Sequence, residues 1–190
     1  MSKHTMDTAT RETVKSVLAG GGVITYPTEA VWGLGCNPWD QGAVQRILLI
    51  KRRPEQKGLI LVAASQEQLA PLLEPLTEDQ RRLLNQTWPG PVTWLIPDPN
   101  NWVPRWVRGQ HTSVAVRVSA HPVVQELCHA WGKPLVSTSA NRAGEPAHTT
   151  LMGVDAELGS EVDMVIKGET GPQASPSQIR DLLSGQVLRA

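Results

Sequence analysis

The sequence predicts an α/β protein: an open, twisted, mixed β-sheet with flanking helices. Helical and extended patterns interleave along the whole chain rather than separating into blocks. The run at 59–63 (LILVA) is apolar at every position, as a strand covered on both faces must be. The 190 residues, 40% of them hydrophobic, suffice for a single domain over 1–190 with a real core.

Taken in order, Asp7 or Thr8 caps a first helix to about residue 19, with Val14, Val17 and Leu18 on one face. Gly20-Gly21-Gly22 stops it. Residues 23–26 read as a short buried strand that Pro27 halts. Asp40 caps a second helix over 41–52 carrying Val44, Ile47, Leu48 and Ile50. After strand 59–63, Ser65 and Gln68 have capping-box spacing for a third helix. Thr77 and Gln80 repeat that spacing for a fourth, with Leu83 and Leu84. A strand at 92–96 is fenced by Pro91 and Pro97. Residues 100–109 read as a loop with Trp102 and Trp106 partly buried. Strand 113–118, helix 122–131 and strand 134–137 follow. A Gly/Pro/His-containing loop at 142–149 leads to a helix at 151–158 and a strand at 163–166. A turn-rich loop at 168–176 precedes two closing strands at 177–183 and 186–189.

Composition excludes several classes. No apolar run approaches the roughly 20 residues of a membrane span. Residues 1–10 are polar and lack the apolar segment of a secretory signal, and two cysteines give neither a disulfide framework nor zinc spacing. A cytoplasmic protein is the expectation. Eighteen basic and eighteen acidic residues cancel, which argues against gripping nucleic acid by bulk charge. A local basic surface is still expected, because Lys51, Arg52, Arg53 and Lys57 lie close together and Arg105 and Arg108 form a second small group. The histidines have no ligand-pair spacing, so no metal site is expected. G-x-S-x-G and P-loop signatures are missing. Seven Trp against one Tyr and no Phe has no physical explanation in the sequence.

The segment 135–141 (LVSTSAN) carries the most chemistry. A strand ending in hydroxyls and an amide sets short donors and acceptors at the rim of a sheet, where ligands of open α/β proteins collect. Alternate residues of extended chain face the same way, so Ser137, Ser139 and Asn141 are expected in one cleft; an ordinary polar turn is the plainer alternative. Lys51 and Arg53 offer a point charge and a planar fork, suited to triphosphate. Pro54 pushes Arg53 out of helical geometry, so the two can converge. Alternatively they only complement the helix dipole. Thr28 and Glu29 follow a strand end at Tyr26-Pro27, where turn chemistry and a helix cap are the competing explanation. Gly33 and Gly35 would permit close backbone approach. Arg117 interrupts an apolar strand. In a sheet covered on both faces it needs an anion, which a bound carboxylate would supply.

In this order, YPTEAVWGLG (26–35), KRRP (51–54), KGLILVA (57–63), WPGPVTWL (88–95), SVAVRV (113–118), HP (121–122), PLVSTSAN (134–141) and PSQIRDL (176–182) resemble the YrdC/TsaC family of threonylcarbamoyl-AMP synthases. The length matches its short single-domain members. The resemblance implies a concave basic cleft and a nucleotidyltransferase. This enzyme joins L-threonine, bicarbonate and ATP into threonylcarbamoyl-adenylate, with release of pyrophosphate and with Mg2+ bridging the phosphates. Downstream tRNA-threonylcarbamoyl transferase proteins would then modify adenosine next to the anticodon. Lys51, Arg53, Ser139 and Asn141 would carry the reaction. Lys51, Arg53, Ser113, Ser139, Asn141 and Arg189 would contact ATP. Thr28, Lys57, Arg117, Ser137 and Ser177 would hold threonine. Lys57 stands where relatives often carry His, and Trp32 where they carry Tyr or Phe; nothing is assigned to Ala147. No general base is evident. The alternative function is an RNA-binding maturation factor without catalysis, and direct binding of RNA or tRNA is also compatible with such a cleft.

Overall fold

The computed structural model describes residues 6–173 and 175–189. The remaining residues, including the polar start of the chain, lie outside it. In chain order the elements are α1 (Thr8–Ala19), β1 (Ile24–Pro27), β2 (Trp32–Gly35), α2 (Gln41–Lys51), β3 (Ile60–Ala63), α3 (Ala70–Leu73), α4 (Glu78–Thr87), β4 (Val92–Pro97), α5 (Arg105–Arg108), β5 (Ser113–Val118), α6 (Pro122–Trp131), β6 (Leu135–Ser139), α7 (Leu151–Leu158), β7 (Met164–Val165), β8 (Gln178–Asp181) and β9 (Val187–Arg189). Their nine strands form one sheet in the order β7-β1-β2-β6-β3-β5-β4-β8-β9. Parallel pairs (β1–β7, β3–β5, β4–β8) alternate with antiparallel ones, so the sheet is mixed as expected. No helix among the described residues is long and apolar enough to cross a membrane.

Local chemistry starts and stops most elements where the sequence indicates. The Asp7 side chain accepts from Thr10 N at 2.7 Å, and Asp40 accepts from Ala43 N at 2.9 Å. Thr77 and Gln80 form the reciprocal capping box of α4. Ser65 does not repeat it. Gln68 instead accepts from Ala64 N at 2.9 Å, and a 3₁₀ turn over Gln66–Leu69 leads into the single helical turn α3. Two elements were not anticipated. Segment 100–109 contains the one-turn helix α5 behind Pro104, although Trp102 and Trp106 are half-buried as expected. The strand β2 is half glycine (Trp-Gly-Leu-Gly) and carries no β-branched signal. Its pairing with β1 sets Gly33 opposite Tyr26, and its glycines do admit close approach. A Cβ on Gly35 would lie 2.7 Å from the Tyr26 ring and from the Val136 carbonyl.

Strand side chains divide between two cores. Leu61 and Ala63 of β3 enter one with Val136 and with Val114, Val116 and Val118; Val62 enters the other with Leu135, Ile24, Tyr26 and residues of α1 and α6. The continuous apolar run at 59–63 therefore has its stated cause. Register extends the second face beyond that core. Asp181, Leu95, Ala115, Ile60 and Ser137 are paired in one row across five strands. In the next row Arg117 pairs with Val62, which pairs with Leu135. The helices α1 and α6 cover the sheet at Val62 and Leu135 but not at the first row.

Candidate active site

The uncovered part of that face is the floor of a cleft of about 920 Å³. All five residues of the first row line it, together with every site residue named from the sequence: Thr28, Lys51, Arg53, Lys57, Ser113, Arg117, Ser137, Ser139, Asn141, Ser177 and Arg189. Arg108 adds a further cation, and Glu29 and Asp181 are the carboxylates on the wall.

Lys51 is 3% exposed. Its Nζ donates to the Ser139 carbonyl at 2.5 Å, to the Asn141 carbonyl at 3.0 Å and to Asn141 Oδ1 at 3.2 Å, and lies 3.4 Å from Ser139 Oγ. The K-x-R and S-x-N segments thus meet side chain to backbone. The turn after α2 differs from its sequence rationale. The helix ends because Arg52 adopts the left-handed conformation (φ 52°, ψ 45°). Its N–H and that of Arg53 close onto Leu49 and Leu48 carbonyls, a Schellman pattern with Arg in the usual glycine place. Arg53 then turns to the loop, where Nη2 and Nε donate to the Gly58 carbonyl at 2.9 and 3.2 Å. Burial first, and the nearby Arg53 charge second, push Lys51 down to about 8, while Glu157 acts the other way.

The segment after β6 is fixed from several sides. Asn141 Nδ2 donates to the carbonyls of Arg142 and Glu145, and Ala143 N donates to the Lys51 carbonyl at 2.7 Å. Trp32 N donates to the His148 carbonyl at 2.8 Å. Arg142 pairs with Glu161, and His148 with Glu157, tying the loop to α7 and the chain beyond it.

Arg117 is 6% exposed and already has an anionic partner: Nη2 lies 3.3 Å from Glu29 Oε2, and Ser119 Oγ donates to Glu29 Oε1 at 2.6 Å. The expectation that a ligand carboxylate supplies its counter-charge is corrected to this extent; the protein supplies one itself. Arg117 Nε remains buried without a partner. In the sequence Glu29 is one of two polar residues after a strand end, with turn chemistry and a helix cap as the competing explanation, and no role is assigned to it. Only a buried Arg requiring an anion signalled it, and β1–β2 pairing was needed to bring it near. Thr28 spends its hydroxyl on the Val31 carbonyl at 2.7 Å within that hairpin. Ser177 Oγ is 2.9 Å from Thr93 Oγ1, and the Arg189 guanidinium donates to the Ser177 carbonyl at 2.7 and 3.1 Å. Burial, and then the Arg117 charge, lower the pKa of Arg189, placing the closing hairpin β8–β9 within electrostatic reach of Arg117. Lys57 is exposed on the cleft rim.

The fold and the sequence are similar to those of known proteins. The family model Sua5/YciO/YrdC, described as telomere recombination, matches residues 16–190. The chain belongs to the Sua5/YciO/YrdC family. It is 55% identical over 173 residues to the threonylcarbamoyl-AMP synthase of Pseudomonas aeruginosa, covering 91% of this chain and 92% of that one. P. abyssi Sua5 complexed with L-threonine matches with a TM-score of 0.88 and 31% identity over 97% of this chain, which spans 54% of the longer Sua5 chain. E. coli YciO matches with a TM-score of 0.83 and 27% identity over 94% of this chain and 87% of its own. In this chain the KRRP and STSAN segments meet at the edge of the cleft.

Proposed function

We infer that this chain is a threonylcarbamoyl-AMP synthase, joining L-threonine, bicarbonate and ATP into threonylcarbamoyl-adenylate and pyrophosphate for tRNA modification. Its relatives of similar length at 51–55% identity carry that name. The observation that carries the reading on physical grounds is one shared cleft. It holds a cationic corner, Lys51 against Ser139 and Asn141, and a buried guanidinium with an unspent donor, Arg117.

In this reading the threonine carboxylate meets the guanidinium of Arg117, with Ser137, Ser177, Thr28 and Lys57 around the amino acid. Bicarbonate takes up a proton and loses water to give carbon dioxide; the neutral amine adds to its carbon and releases a proton, becoming a carbamate. A carbamate oxygen attacks the α-phosphorus of ATP; the bond to the bridging oxygen breaks and pyrophosphate leaves with the electron pair. Lys51, Arg53, Ser113, Ser139, Asn141 and Arg189 hold the phosphates and offset the charge that builds on them. Such a step needs alignment and electrostatic stabilisation more than a covalent intermediate. Of the two cleft carboxylates, Glu29 is engaged by Arg117 and Ser119. Asp181 Oδ1 accepts from Leu183 N and Ser184 N, so a magnesium ion would be held mainly by the triphosphate oxygens and would supply charge neutralisation there. The adenylate passes to tRNA-threonylcarbamoyl transferase proteins.

The test is pyrophosphate release from ATP and magnesium. Release must require both threonine and bicarbonate. Release unchanged when threonine is left out rejects the synthase.

Lys51 adds a pH dependence. Below its value of about 8 the free protein presents an ammonium, and above it a neutral amine. The kcat/KM for ATP is therefore expected to fall as pH rises through about 8, because that parameter reports groups of the free enzyme. Stability responds in the opposite sense. Between about 8 and the ordinary 10.5 the unfolded chain holds more protons at this residue, so its contribution to stability rises with pH. A flat ATP profile from pH 7 to 9.5 contradicts the assignment of Lys51.

A further inference from the structure

Among the described residues, four buried side-chain polar atoms have no hydrogen-bond partner. Two are guanidinium Nε atoms on the cleft, those of Arg117 and Arg108. Arg117 has Glu29. Arg108 has no ion pair among the described residues, and its one side-chain hydrogen bond is a 3.5 Å contact from Nη1 to the Asp98 carbonyl. A half-buried cation with an idle donor costs stability unless an anion completes it.

Its backbone is held firmly. Gly58 and Gly109 sit at φ 66° and 71° and press their loops together. A Cβ on Gly58 would lie 2.7 Å from the Arg108 carbonyl oxygen, and one on Gly109 would lie 2.5 Å from the Gln56 carbonyl oxygen. Leu59 N donates to the Val107 carbonyl at 2.8 Å, and Gln110 N to the Gln56 carbonyl at 3.2 Å. Arg53 donates to the carbonyl of the same Gly58. Two guanidinium-bearing segments are thereby fixed around one residue on the cleft wall, with Lys57 next in the chain. The arrangement concentrates positive charge at one place on the cleft wall, which suits an anion with several oxygens.

We propose that Arg108 binds the β- and γ-phosphates of ATP and holds the pyrophosphate as it leaves. This rests on the synthase reading. It adds a residue that lies outside every motif stretch quoted from the sequence. Bicarbonate is the other anion in the reaction, but it carries one charge and would leave the fork and its neighbours undercompensated.

The experiment follows threonylcarbamoyl-adenylate formation by chromatography at increasing inorganic pyrophosphate, for the parent, Arg108→Gln and Arg108→Lys. Inhibition by pyrophosphate is expected to weaken about tenfold or more in R108Q, the scale of one charge-assisted contact. R108K, which keeps charge but loses the fork, is expected to lie between. The KM for threonine and the melting temperature stay near the parent values. Unchanged pyrophosphate inhibition in a folded R108Q overturns the proposal, as does a raised KM for bicarbonate in its place. If R108Q does not fold, unchanged inhibition in R108K overturns it equally. Calorimetric titration of pyrophosphate into the parent and R108K needs no turnover. A parent that binds pyrophosphate through Arg108 but shows no threonine-dependent product sinks the synthase reading and leaves the anion site standing.

Discussion

Arg117→Ala is expected to lose stability and threonine binding together, and the two losses are separable. The side chains of Arg117 and Glu29 are 8% and 12% exposed and 3.3 Å apart at their nearest polar atoms. Removing one member of such a pair leaves a buried charge uncompensated, a loss of about 3–5 kcal/mol. Ser119 still donates to Glu29, so the carboxylate keeps one hydrogen bond. Adding Glu29→Gln removes the stranded charge, and the double variant is expected to regain much of the melting temperature. It is not expected to regain threonine binding, because the guanidinium that meets the carboxylate is gone. Chemical denaturation of the parent, both single variants and the double variant reads the first effect, and the KM for threonine reads the second. A double variant with restored threonine affinity contradicts the role of Arg117. A rise in the ATP requirement equal to that for threonine contradicts it as well.

Lys51→Ala is expected to lower kcat/KM for ATP by about 10–150-fold, the equivalent of about 1.5–3 kcal/mol for one charge-assisted contact, with threonine affinity little changed. The lysine joins the end of α2 to the turn after β6, through the carbonyls of Ser139 and Asn141. Its loss removes the charge and frees those carbonyls, so the 139–141 turn also loses an anchor. Lys51→Met loses the charge and the donor but keeps the packed stem, so comparison with Lys51→Ala separates those losses from the loss of packing. Parent-like ATP kinetics in both variants contradict the assignment.

What the sequence revealed follows from how each signal is encoded. Capping side chains, apolar periodicity and prolines are local. They located α1, α2, β5, α6 and α7 to within a residue or so, and the start of α4. Ser65-x-x-Gln68 misled because the same spacing also permits Gln68 to reach back to Ala64 N. The strand β2 was hidden because its glycines are there for the Tyr26 ring and the Val136 carbonyl, contacts made by other strands. The cleft residues were nameable from motifs, but their company was not. Glu29 reaches Arg117 only because β1 and β2 form a hairpin, while Arg117 is placed by the β3–β5 register. Arg108 sits at the end of a four-residue helix with no periodic signal, and only the fold reveals its idle donor.

The account depends on one cleft holding an amino acid beside a nucleotide. Threonylcarbamoyl-adenylate spans both parts in a single molecule, so a crystal structure of the protein with that compound is the most direct measurement. The expected result is the threonine carboxylate on the Arg117 guanidinium and the adenylate phosphate within hydrogen-bonding reach of Lys51 and Ser139. A compound bound with either group outside this cleft, or with its carboxylate and phosphate ends exchanged, would contradict it.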